Sequence, residues 1–302
     1  MTAGSEDPNG ARGPTEIATP SSSLSQLPPM KFAAMRLLLF FSVLTSAAGT
    51  LSAQEVVTLP ASEYPRLLWT DIKTTATAPA RWDRKDWLTF SVESLAVVGT
   101  AAAVDRPVRD WTQRNTGASW EKFANRFEPL GAEWSFAVIG AFYLDGRLLD
   151  NPRAENTAVD ALSASIVAAG IVSPILKIAA GRARPNAGKG VYSFKPFSGG
   201  KSFPSGHTTQ AFAIASVVAS HYHSLWVAGT AYTAAGLVGL ARIDHNAHFA
   251  SDVLAGAIIG TTIGRATVRL NEGERLEWSG HPVTLAPMIT PDTTGLLVSV
   301  DF

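Results

Sequence analysis

Apolar residues gather into six stretches whose spacing predicts α-helices over approximately residues 87–104, 131–145, 157–181, 207–221, 224–241 and 249–268. All six are rich in Ala, Val, Leu, Ile and Gly, and no strand pattern interrupts them. Strand periodicity appears only after residue 280, where Val283-Thr284-Leu285 and Leu296 to Phe302 flank Pro291-Asp292-Thr293-Thr294-Gly295 and predict a terminal β-hairpin. Residues 182–206 carry Pro185, Pro196, Pro204 and the pair Gly199-Gly200, which makes them a long loop between the third and fourth helices. Loops of that length are often functional. Pro60, Pro65 and Pro79 interrupt residues 54–86, which read as a lead-in segment. The expected fold is all-α: a six-helix bundle over residues 87–270, followed by a tail, residues 271–302, with a short β-hairpin.

The first 53 residues have a different character. Residues 1–29 are rich in Pro, Ser, Gly and Thr and cannot bury enough apolar surface to fold, so they read as a disordered extension. From Met30-Lys31 through Arg36, the apolar run Leu37 to Leu44 and the small residues up to Ala53, the pattern is that of a signal peptide, residues 30–53. Translation starting at Met30 would make the first segment non-native. Export is the localisation this predicts, with a periplasmic or membrane-associated protein whose site faces away from the cytoplasm.

Whether the helices cross a membrane is the next question. Several apolar stretches run only 13 to 18 residues, Glu93 and Asp160 fall within others, and the mean hydropathy is +0.12. A spanning helix needs about 20 apolar residues, so the pattern favours a water-soluble or peripherally bound bundle. If the signal is cleaved and all six helices span, the loops after the third and fifth would face the cytoplasm; both carry candidate chemistry.

Charge narrows the partners. Lys+Arg and Asp+Glu are equal at 25 each, so no global field draws the chain to nucleic acid, and anion binding must come from local clusters. With no cysteine there is no disulfide, thiolate metal site or cysteine nucleophile. No HExxH or carboxylate cluster suggests a metal.

Three segments supply such clusters. Lys177 and Arg184-Pro185 close the third helix; seven residues apart, the two cations nearly eclipse after two helical turns, and Pro185 disfavours helical geometry at Arg184. Arg offers a planar fork and Lys a compact charge for an oxyanion. Ser202-Phe203-Pro204-Ser205-Gly206-His207 opens the fourth helix, with Ser205 as N-cap and Gly206 allowing an anion to approach the first N–H groups. Arg242 precedes His248 and Asp252, which are four apart; the carboxylate can accept from one imidazole nitrogen and leave the other nucleophilic. His245 reads as a loop residue, His221 and His223 as helix-terminal, and Trp111, Trp120 and Trp134 as packing residues.

Together these segments resemble the three motifs of the type 2 phosphatidic acid phosphatase and vanadium haloperoxidase superfamily, K-x6-R-P, P-S-G-H and S-R-x5-H-x3-D, in the same order. One position departs: Ala241 stands where the third motif has serine. The resemblance implies an exported acid or lipid phosphatase, a phosphate monoester hydrolase working through a phosphohistidine. His248 would attack phosphorus, Asp252 would fix its tautomer, and His207 would protonate the leaving alcohol and later activate water. Lys177, Arg184 and Arg242, with Ser205 and Gly206, would hold the phosphate oxygens. No metal or other cofactor is implied. The substrate would be a phosphorylated small molecule or a lipid head group, with residues 105–130 and 186–203 deciding the leaving group. Two alternatives are a vanadate-dependent haloperoxidase, with vanadate held by the same residues, and a catalytically silent membrane scaffold.

Overall fold

The computed structural model describes residues 56–278 and the backbone of Val283–Thr290 and Thr293–Val300. The predicted extension and signal peptide lie outside the described residues. Nine α-helices are present among them, not six. They are α1 Tyr64–Thr77, α2 Arg84–Ala103, α3 Asp105–Asn115, α4 Ala118–Phe127, α5 Glu133–Leu148, α6 Pro152–Ala180, α7 Gly206–Tyr222, α8 Leu225–Asp244 and α9 Ala250–Trp278.

The six expected stretches correspond to α2 and α5 to α9; the three additional helices have local reasons. Pro65 sits in the first turn of α1, where its missing N–H removes no intrahelical bond, so it starts a helix within the segment read as a lead-in. The short helices α3 and α4 carry too few apolar residues to register as stretches, and α3 leaves α2 at a bend of 51°. At the start of α2, Asp83 accepts from the backbone N–H groups of Lys85 and Asp86 while Asp86 accepts from Asp83, a reciprocal cap. Beyond α9, Val283–Thr290 pairs antiparallel with Thr293–Val300, Val283 opposite Val300.

The central helix is α7, which buries 12 of its 17 residues. It can approach α9 closely because Gly256, Gly260 and Gly264 recur every fourth position, one above another on a single helix face. A Cβ at Gly260 would lie 2.4 Å from the Thr209 carbonyl and one at Gly256 2.7 Å from that of Ser205. The contact fixes the N-terminal ends of α7 and α9 side by side, and those ends carry His207 and Asp252.

Towards the other end of the same helices lies a buried polar cluster. Asp160 of α6 receives both terminal nitrogens of Arg275 at 2.7 and 3.0 Å, His221 at 2.8 Å and Asn271 at 2.8 Å. His221 lies in the last turn of α7, as its sequence position suggests, and there it is buried against a carboxylate. Asp71 of α1 joins the cluster through Ser163 at 2.5 Å and Asn271 at 3.3 Å, tying α1 into the bundle.

Two helices, α6 and α9, are long and apolar enough to cross a membrane, and the bent pair α2 and α3 would add a third if it acts as one span. Against the reading of a water-soluble or peripherally bound bundle, α6 and α9 each run 29 residues, and Asp160 within α6 is paired with Arg275. Helix α2 buries no residue at all, and Leu88, Val92, Leu95 and Val98 all point outward.

Burial pushes the Asp71 carboxyl up to about 6 from 3.8. A raised folded value favours the neutral acid, so its stabilising contribution is complete below 3.8 and is lost as pH rises through 6. Asp71→Asn is therefore expected to melt at a higher temperature than the wild type at pH 7.5 and at the same temperature near pH 4. Equal melting temperatures at both values would contradict this placement of the charge.

Candidate active site

The three segments meet at one end of the bundle. Helix α6 stops at Ala180 because Gly181 takes a left-handed conformation, φ +55°, where a Cβ would strike the Lys195 carbonyl. Arg184 then sits in extended backbone, φ −70° and ψ 155°, before the short turn Pro185–Ala187. Lys177 and Arg184 are thus brought together by a reversal of the chain and not by stacking on successive helical turns. Their joint influence is felt at His207, whose imidazole is held below its ordinary value mainly by burial and further by Lys177 and Arg184, against the pull of Glu133.

Lys177 Nζ donates to the Lys201 carbonyl at 3.1 Å and also contacts the Pro204 carbonyl, and its side chain lies against Gly206. Ser205 occupies the N-cap position of α7, but its hydroxyl makes no capping bond and instead accepts from Thr208 Oγ1 at 2.9 Å. The first turn of α7 is therefore left without a side-chain cap, the condition under which helix N–H groups are available to an anion.

His248 is 3% exposed. Its Nδ1 lies 2.7 Å from the Ser202 carbonyl and 3.7 Å from Asp252 Oδ2, so the direct acceptor is the carbonyl and not the carboxylate expected from sequence. A carbonyl can only accept, which puts the proton on Nδ1 and the lone pair on Nε2. Burial drops the imidazole to about 4; Asp252 opposes this, and Lys177 and Arg242 lower it further. At neutral pH the ring is uncharged, as a nucleophile requires.

Asp252 acts one step back. Its Oδ2 accepts from Ser202 Oγ at 2.5 Å and Phe249 N at 2.9 Å, while Oδ1 accepts from Arg182 at 2.6 Å. Arg182 is fully buried, donates also to Asp105 at 2.7 Å and Ser251 Oγ at 2.7 Å, and lies over the Phe249 ring at 4.2 Å. Neither Arg182 nor Asp105 was singled out from sequence. Arg182 lies inside the Lys177–Arg184 motif, and that was the available signal; Asp105 is 77 residues away and gives none. Ser202 opens the Ser202–His207 segment, and nothing in that local pattern points to its bond with Asp252.

Arg242 lies near the C-terminal end of α8, and its side chain is 8% exposed. It contacts the carboxylate of Glu128, which also sits 2.5 Å from His245 Nδ1 and 3.7 Å from His207 Nε2. Glu128 begins the turn Glu128–Gly131 ahead of α5 and belongs to none of the three motifs. His245 thus lines the site through Glu128. Ala241, the departure from the third motif, is fully buried. Trp111 and Trp120 stack edge to face at 6.5 Å and remain about half exposed.

Residues 159–275 match the profile of the PAP2 superfamily. Over those residues the chain is similar to the PAP2 superfamily. It is 28% identical over 200 residues to the lipid A 1-phosphatase of Rhizobium etli, covering 60% of this chain and 82% of that protein. It is 41% identical over 100 residues to the lipid A 1-phosphatase of Porphyromonas gingivalis, covering 31% of this chain but only 22% of that longer protein. Lipid phosphate phosphatase 1 of Arabidopsis thaliana is 31% identical over 130 residues, covering 33% of this chain and 40% of that protein. The crystal structure of Aquifex aeolicus LpxE is similar at a TM-score of 0.43 and 22% identity, covering 55% of this chain and 96% of that one.

The contact between Glu128 and Arg242 sets a competition, because a carboxylate and a phosphate oxygen ask for the same guanidinium. Glu128→Gln is expected to tighten inorganic phosphate binding about tenfold, the effect of one removed like charge in a half-buried site. Titration calorimetry reads the change. An unaltered or weakened Kd would show that Glu128 does not compete with the anion.

Proposed function

We propose that the protein is a membrane-attached phosphate monoester hydrolase that forms a phosphohistidine at His248. The observation that carries the reading is the buried His248, with Nδ1–H committed to the Ser202 carbonyl and Nε2 left free to attack. In the first step Nε2 attacks phosphorus while Lys177, Arg184, Arg242 and the first N–H groups of α7 hold the other oxygens. The P–Nε2 bond forms, the ester P–O bond breaks, and the leaving oxygen takes a proton from His207. In the second step water attacks phosphorus, gives its proton to His207, and displaces Nε2 to release phosphate.

His207 must be protonated to act as the acid, yet burial and the cations disfavour that state. A phosphate dianion arriving beside it reverses the local field, so the substrate itself supports the proton that the first step consumes. Asp252 and Ser202 position the nucleophile, while Ser205 and Gly206 shape the start of α7.

A lipid leaving group fits the apolar, outward-facing side chains of α2 and the two helices long enough to span a bilayer. The relatives named lipid A 1-phosphatase and lipid phosphate phosphatase 1 support the same class. If α6 and α9 both cross, the C-terminal end of α6 and the N-terminal end of α9 share one membrane face, and the site lies there. We assign that face to the outside of the cytoplasm: the signal-like residues 30–53 export the chain that follows, and with the bent pair α2–α3 crossing as a further span, α6 returns its C-terminal end to that side.

Purified protein in detergent should release inorganic phosphate from a phospholipid monoester. His248→Ala should lose activity by a factor of about 10³ or more while keeping its melting temperature. His207→Ala should slow turnover and leave a phosphorylated protein that survives alkali but not acid, as a phosphoramidate does. Full activity of His248→Ala would overturn the nucleophile, and bromide oxidation by peroxide with added vanadate, without phosphate release, would overturn the reaction class.

A further inference from the structure

The loop between α6 and α7 folds back on the end of α6, with Lys195 N donating to the Gly181 carbonyl at 3.2 Å and Phe197 N to that of Ile178 at 2.9 Å. Asn186 N holds the same loop to the Asn246 carbonyl at 3.2 Å, beside the turn that leads to His248. The fold-back borders an open concavity of about 530 Å3. Arg184, Lys189, Lys195 and Lys201 line it, together with the polar side chains of Asn186, Ser193 and Ser198, and no carboxylate does. Among the described residues none of the four cations takes part in an ion pair.

Four like charges around one hollow repel each other and raise a positive potential that only an anion relieves. The hollow is also continuous with the catalytic cations. Arg184 lines it and acts on His207, and its buried Nε has no hydrogen-bond partner among the described residues. The carbonyl of Lys201 receives Lys177 Nζ at 3.1 Å. A group bound in the hollow would therefore be attached to the same substrate whose phosphate lies between His207 and His248. Long, exposed lysine stems suit a group whose position varies, whereas the half-buried Arg184 and buried Arg242 suit the reacting phosphate.

We propose that this cavity is a subsite for a second phosphate-type anion carried on the leaving alcohol, so that the enzyme prefers bisphosphorylated substrates to monophosphorylated ones. The inference rests on the phosphatase reading above and names the substrate class for it.

The test compares dodecane-1,2-diol 1-phosphate with the 1,2-bisphosphate in detergent micelles, using the wild type and the double variant Lys189→Gln/Lys195→Gln. The wild type should show a KM about tenfold lower for the bisphosphate, the combined effect of a few exposed charge contacts. The double variant should lose that preference and leave kcat and KM for the monophosphate unchanged. Equal KM values in the wild type, or a parallel loss on both substrates, would overturn the subsite. If the wild type hydrolyses neither compound, calorimetric binding to His248→Ala still decides the matter and separates a failed subsite from a failed phosphatase reading. Tighter bisphosphate binding that depends on the two lysines would support the subsite; equal binding of the two compounds, or lysine-dependent binding of inorganic phosphate alone, would overturn it.

Discussion

The site depends on one fully buried guanidinium. Arg182 joins the end of α6, the start of α3 through Asp105, and the start of α9 through Ser251 and Asp252, with aromatic rings on Phe194 and Phe249 around it. A charge taken out of water is tolerated only when its donors are satisfied, and here two carboxylates, a hydroxyl and the Val191 carbonyl receive them. Because Asp252 is held by Arg182, it can hold Ser202, and Ser202 in turn presents its carbonyl to His248. His248 is thus oriented by a chain of fixed contacts that begins with a fully buried residue.

Helix packing supplies the second half of the arrangement. The glycine repeat on α9 brings it against α7 so closely that the two helix starts sit together, and the C-terminal parts of α6 and α8 deliver Lys177 and Arg242 to the same end. Positive helix ends, three cations and two imidazoles then share one small region, while the carboxylates that balance them are kept behind His248 or, in Glu128, at the rim. The polar cluster of Asp71, Asp160, His221, Asn271 and Arg275 occupies the opposite end, so each end of the bundle carries its own set of buried charges.

Much of this was legible in the sequence. Lys177, Arg184, His207, Arg242, His248 and Asp252 could be found because each lies in a short motif whose spacing needs only local geometry. The apolar runs of α5 to α9 could be found because they bury one another. What could not be read depends on distant pairs: Asp105 with Arg182, Glu128 with Arg242, and His221 with Asp160, each separated by 61 to 114 residues. Local geometry misled in two places. Seven-residue spacing suggested that Lys177 and Arg184 stack along one helix, whereas Gly181 ends it between them; four-residue spacing suggested that Asp252 bonds His248 directly, whereas Ser202 intervenes. Helix α1 was obscured by Pro65, a residue that breaks helices inside but starts them at the first turn.

A crystal structure with orthovanadate, which mimics a phosphoryl group in transfer, probes the convergence of these segments most directly. Vanadium is expected within bonding reach of His248 Nε2, its oxygens facing Lys177, Arg184 and Arg242, with the Glu128 carboxylate withdrawn from Arg242. Vanadate bound away from His248, or the three cations turned towards separate ions, would contradict a single oxyanion cradle.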